Sequence, residues 1–98
     1  MLCIAYHVSE FGKHESQRHI FLGVLSTDEC SDVRSAVAYN VNTPVEVLLT
    51  LSTGAHWAVR SAVAYNVNTP VEVLGVLSTD AHWAVRYAVV NNKNFENK

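Results

Sequence analysis

Ser35–Leu48 reads SAVAYNVNTPVEVL, and Ser61–Leu74 reads the same fourteen letters. Working outward, Ala55–Arg60 and Ala81–Arg86 both read AHWAVR, the triplet Leu-Ser-Thr begins at Leu25, Leu51 and Leu77, and Val-Arg falls at Val33, Val59 and Val85. Every one of these intervals is 26 residues. A fixed period of that size is the mark of a stacked repeat, because a single short unit cannot bury its own apolar face.

Each unit divides into two helical pieces. In the middle copy the first piece runs roughly over 55–66, where steps of 100° bring Ala55, Val59, Ala62, Val63 and Asn66 to one face. Asp28 and Asp80 are expected N-caps for the first and third copies; the middle copy has Gly54 there, so Thr53 is expected to take over. The second piece starts at Thr-Pro. Thr43 and Thr69 are expected to cap it, with Pro44 and Pro70 at the first helical position and Glu46 and Glu72 closing a capping box. The spacing Val45, Leu48, Leu51 also suits a 3₁₀ helix. Period-two alternation is absent, so the reading is all-α, a short solenoid of about three two-helix units.

We read 1–98 as a single repeat domain, with 1–24 a degenerate N-terminal cap, 25–50 and 51–76 full repeats and 77–98 a truncated last repeat. The third copy loses the Thr-Pro signal, and Asn91-Asn92-Lys93-Asn94 reads as a helix exit. That leaves one face of the last unit for Phe95 or another chain to cover, hence an expected homo-oligomer through an end repeat.

The unit VRSAVAYNVNTPVEVL followed by LSTD resembles the leucine-rich repeat variant family, whose pattern combines Val-Arg, Val-Ala-x-Asn, Thr-Pro and a closing Leu-x-x-Asp. The resemblance covers about Leu25 to Asn92. More distantly the chain is similar to HEAT repeats, through the spacing of Asp28 to Arg34 and of Asp80 to Arg86. The family resemblance implies α-helices alternating with 3₁₀ helices in a right-handed superhelix, and protein interaction rather than catalysis. Some relatives hold an iron–sulfur cluster on four cysteines; Cys3 and Cys30 alone cannot supply that set, so no cofactor is carried over.

Composition narrows the function classes. Hydrophobic residues make up 49% and charged residues 16%, with a formal net charge of −2, so disorder and a general field for phosphate are disfavoured. The first residues make a poor signal peptide and are too short to cross a bilayer, so no membrane is expected. With only two cysteines the expected location is a cytoplasmic, reducing one. Asp28-Glu29 beside Cys30 would raise a thiol pKa, no nucleophile set or glycine-rich phosphate loop occurs, and no enzyme is expected.

The candidate contact residues lie opposite the valines on the same wheel. They are Trp57, Arg60, Ser61 and Ala64 in the middle unit, Trp83, Arg86, Tyr87 and Val90 in the last, and Ser31, Arg34, Ser35 and Ala38 in the first. In rows about 8–10 Å apart these make a Trp/Arg/Tyr stripe of the types enriched at binding hot spots. The function this predicts is binding a protein partner, as a scaffold or steric inhibitor. The opposing reading lays each Trp over the preceding loop and pairs each Arg with an Asp of the adjacent unit. A nucleic-acid groove is weaker, because the lysines sit near the ends and Glu46 and Glu72 point outward; a self-assembling structural unit is the third reading. His56 and His82 recur as a pair too poor in partners for a metal, and Asn40, Asn66 and Asn92 are expected to be buried amides tying unit to unit.

Overall fold

The computed structural model describes residues 22–95. The expected N-terminal cap therefore lies almost wholly outside the described residues, with Cys3, His7, Lys13, His14 and His19; so does Lys98.

After a helical stretch at 22–25 come five helices, α1 Ser31–Tyr39, α2 Val45–Leu51, α3 Trp57–Tyr65, α4 Val71–Leu77 and α5 Trp83–Val90. No strand occurs among the described residues. The odd-numbered helices form one layer, α1 against α3 and α3 against α5, while α2 bridges α1 and α3 and α4 bridges α3 and α5. The period is written into the core: the largest fully buried side chains are Leu22, Leu48 and Leu74, then Val33, Val59 and Val85, then Val37, Val63 and Val89. Like residues thus lie in rows through a continuous apolar spine.

Helix α3 has a neighbour on both sides and buries Val59, Ser61, Ala62, Val63 and Ala64. Small side chains permit that close approach. Ser61 and Ala64, expected on the solvent side, are 7% and 0% exposed. A helical wheel places them correctly relative to the valines, but it does not show that the opposite flank meets the next unit rather than water.

The second helices are α-helical, not 3₁₀: the Leu48 N–H donates to the Pro44 carbonyl and the Ser52 N–H to the Leu48 carbonyl, both four residues back. Pro44 and Pro70 are themselves the N-caps, with extended ψ of 151° and 149°, and no side chain caps either helix. Thr43 and Thr69 fall one residue outside. Both are buried and donate their hydroxyls backward, to the carbonyls of Val37 and Val63 near the end of the preceding helix. The capping box is therefore corrected to a tie that satisfies a helix C-terminus.

The first helices start later than expected. Asp28 and Asp80 are not caps; their Oδ1 atoms accept from the N–H groups of Cys30 and His82 at 2.8 and 2.9 Å, turning the chain before the helix. The caps are Cys30, His56 and His82, and the two imidazoles accept at Nδ1 from the N–H groups of Ala58 and Ala84, each at 3.1 Å. Thr53 does not replace Asp in the middle copy; its hydroxyl donates to the Thr50 carbonyl.

Candidate binding face

Arg34, Arg60 and Arg86 each fold back on the turn before their own helix. Their Nη1 atoms donate to two successive carbonyls: Asp28 and Glu29 for Arg34, Gly54 and Ala55 for Arg60, Asp80 and Ala81 for Arg86. The other edge of the Arg60 guanidinium reaches into the next unit. Nε donates to Asp80 Oδ2 at 2.8 Å and Nη2 to Asp80 Oδ1 at 3.1 Å. Such a two-point clamp fixes both orientation and distance. The hydrogen bond from Arg60 holds the Asp80 carboxyl below its usual range despite partial burial, with the His82 N–H adding to the effect. The arginines are thus structural clasps first, and Arg60 is removed from the expected contact residues.

Arg34 lacks this second grip because the unit after it has Gly54 where Asp80 would stand. A Cβ at Gly54 would meet the Leu51 carbonyl oxygen at 3.2 Å, but the turn is the one Asp80 already occupies, with the N–H groups of Gly54 and Asp80 donating to the equivalent carbonyls of Leu51 and Leu77 at 3.0 Å. Gly54→Asp is therefore expected to raise stability by about 1 kcal/mol, through a new pair with Arg34 and a less flexible unfolded chain. Thermal melts of the variant with and without Arg34→Ala check this; an equal gain in both backgrounds would show that no pair forms.

The tryptophans join a column of rings. Trp57 stacks on His82 of the next unit at 4.3 Å and 12°, and each histidine lies 6.0 Å from the tryptophan next to it in the chain. Trp57 is 42% exposed with one face covered, whereas Trp83, with no histidine stacked on it from a further unit, is 66% exposed. Tyr87 and Val90 stand where Ser61 and Ala64 stand one unit earlier, and they are 58% and 55% exposed. Among the described residues, then, the stripe comes together as an open surface only on α5, at Trp83, Arg86, Tyr87 and Val90; its α1 and α3 members lie between units.

The asparagine expectation holds for Asn66 and Asn92; the residues that Asn40 would tie to lie outside the described residues. Asn66 Nδ2 donates to the carbonyls of Ala38 and Asn40 at 2.8 and 2.9 Å, and Asn92 repeats this on Ala64 and Asn66. Their Oδ1 atoms accept from the N–H groups of Asn68 and Asn94. A second rung lies beyond the expectation: the side chains of Asn68 and Asn94 donate to the carbonyls of Val41 and Val67. Tyr39 and Tyr65 stack between units at 6.2 Å and stay exposed, in a chain region where Val41, Val67, Val45 and Val71 are exposed too. The signal for that strip is present in the letters, in valines that recur every 26 residues outside the buried face.

His56 and His82 have Nδ1 engaged in capping, and no group of metal-binding side chains occurs among the described residues. Cys30 is held in a disulfide, so it offers no thiol, and the cysteine count no longer argues for a reducing compartment. No described helix is long and apolar enough to cross a membrane.

Two-helix units sharing one spine, tied by asparagine at both described junctions and riveted by arginine at one of them, define a tandem helical repeat protein. Residues 57–82, one full period, match the family model described as leucine rich repeat variant. That period is similar to the leucine rich repeat variant repeat. No curated protein and no solved structure matches the chain.

Proposed function

We propose that this chain is a protein-binding repeat module, a scaffold or steric inhibitor without catalytic activity, whose contact surface is the outer face of α5. One observation carries the reading. At positions where α1 and α3 hold small residues against a neighbour, α5 holds Tyr87 and Val90, and with Trp83 and Arg86 these form an exposed aromatic and cationic patch. Tyr, Trp and Arg are the side chains that dominate protein–protein contacts, because each offers large apolar area with a polar or charged edge.

The same substitution counts against self-assembly by continuing the stack, since a Tyr in place of a Ser holds a further helix away. A nucleic-acid role fits less well: the Nη1 edge of each Arg is committed to backbone carbonyls, and Arg60 is neutralised by Asp80.

Trp57 is unsuitable for a test because its ring is part of the stack. Trp83→Ala should change stability by less than about 0.5 kcal/mol, as for an exposed surface site, and should weaken binding at least about tenfold. Crosslinking in the native host, with wild type and variant compared, reads this. If the same partners are recovered equally by both, the α5 face is not the contact surface; if Trp83→Ala melts far below wild type, the ring is a core element.

A further inference from the structure

We propose that Trp83 and Arg86 together bind an extended segment of another protein in which a carboxylate is followed, two residues on, by a flat ring (Asp-x-His or its aromatic equivalent). This rests on the protein-binding reading and names the chemistry of its partner.

The chain contains its own version of that complex. At the junction between the second and third units, Trp57 and Arg60 meet Asp80-Ala81-His82. The carboxylate closes on Nε and Nη2 of Arg60, and the imidazole lies flat on Trp57 at 4.3 Å. One unit later Trp83 and Arg86 repeat Trp57 and Arg60. Arg86 is held by the same two-carbonyl grip on Nη1, from Asp80 and Ala81, as Arg60 is from Gly54 and Ala55. Its Nε and Nη2 have no partner among the described residues, and the Trp83 ring is open. Both halves of the receptor are therefore preorganised, which lowers the ordering cost of binding.

The occupant is a loop, not another helical unit. In the internal junction, Asp80 and His82 lie in the turn before α5, while α5 itself packs over Ser61 and Ala64. Tyr87 and Val90 fill that second area on the outer face and leave the Trp–Arg area accessible. A second copy of this chain fits poorly: its first unit offers Asp28-Glu29-Cys30, a carboxylate without a ring.

The probe is acetyl-Ser-Thr-Asp-Ala-His-amide, titrated into the full chain with the Trp83 indole N–H followed by NMR. Saturable binding on the order of millimolar is expected, with Asp→Asn in the peptide lowering affinity about tenfold, the equivalent of about 1.4 kcal/mol. Arg86→Ala should lower it equally, and the two changes together should cost no more than either alone. The proposal is overturned if the peptide does not shift Trp83, if the Asn peptide binds equally, or if oligo-dT shifts Trp83 while the peptide does not. A dimer by sedimentation that Trp83→Ala dissolves would assign the face to a second copy and overturn it too. Failure of the peptide with host crosslinking still dependent on Trp83 would sink this inference alone; loss of both would sink the protein-binding reading.

Discussion

Asn66→Ala is expected to destabilise the fold by roughly 2–4 kcal/mol, although the side chain removed is small and polar. Its Nδ2 donates to the Ala38 carbonyl, buried near the end of α1, and to the Asn40 carbonyl in the turn beyond. Its Oδ1 orders the next turn through the Asn68 N–H. The Asn40 carbonyl keeps a second donor in the Thr43 N–H, so the largest single cost is the Ala38 oxygen left dry and unpaired. Asn66→Asp separates shape from donation. It preserves volume but points an acceptor at two acceptors, so at neutral pH it should cost at least as much as Ala and should recover part of the loss in acid, when one oxygen regains a proton. Urea melts of variant and wild type at about pH 7 and about pH 3, on either side of the ordinary aspartate value, measure both. A loss under about 0.5 kcal/mol for Asn66→Ala would mean that water replaces the amide and that the ladder does not hold the units together.

Asp80→Ala is expected to cost about 1–3 kcal/mol, between the values for exposed and for buried ion pairs, since both side chains are largely covered. Three bonds go at once, two from Arg60 and one from the His82 N–H. Asp80→Asn retains an acceptor for His82, so the difference between the variants isolates the charge. A cycle with Arg60→Ala should show coupling of about 1 kcal/mol or more. The sign with pH comes from the depressed carboxyl. Its contribution is complete above its ordinary value of 3.8 and is lost as the pH falls through the lower folded-state value, because the unfolded chain takes up the proton first. Wild type should therefore lose stability below about pH 4 more steeply than Asp80→Asn; parallel acid limbs would remove the ion pair from the stability of this junction.

The spine is legible in the letters because period and amphipathicity act together. Val33, Val59, Val85 and the Leu22, Leu48, Leu74 row are the residues that a 26-residue repeat and a helical wheel select. Asn66 and Asn92 come from the same face, since a polar residue among valines must find partners inside. Helix starts are less legible, and the expected ones fall about two residues early. The sequence offers Asp, Thr and His within a few positions, and only geometry decides that Asp80 turns the loop while His82 caps. The contact stripe is half legible for a related reason. A wheel gives the angle between side chains on one helix but not the element that stands opposite, so it assigns Ser61 and Ala64 to water when a neighbouring helix covers them. Their small size is the available clue. Trp83 and Tyr87 stand out by residue type, yet their exposure on the α5 face depends on which element comes next to it in space.

Gly54, at the position where the first and third turns have Asp28 and Asp80, makes the molecule mechanically uneven. The seam between α1 and α3 has no guanidinium–carboxylate rivet, and it has Ser31 where the seam between α3 and α5 has Trp57. In a quasi-one-dimensional stack, overall integrity is limited by the poorest adhesion between neighbours rather than by the average. Under heat or tension the first unit is therefore expected to part from the second before the second parts from the third.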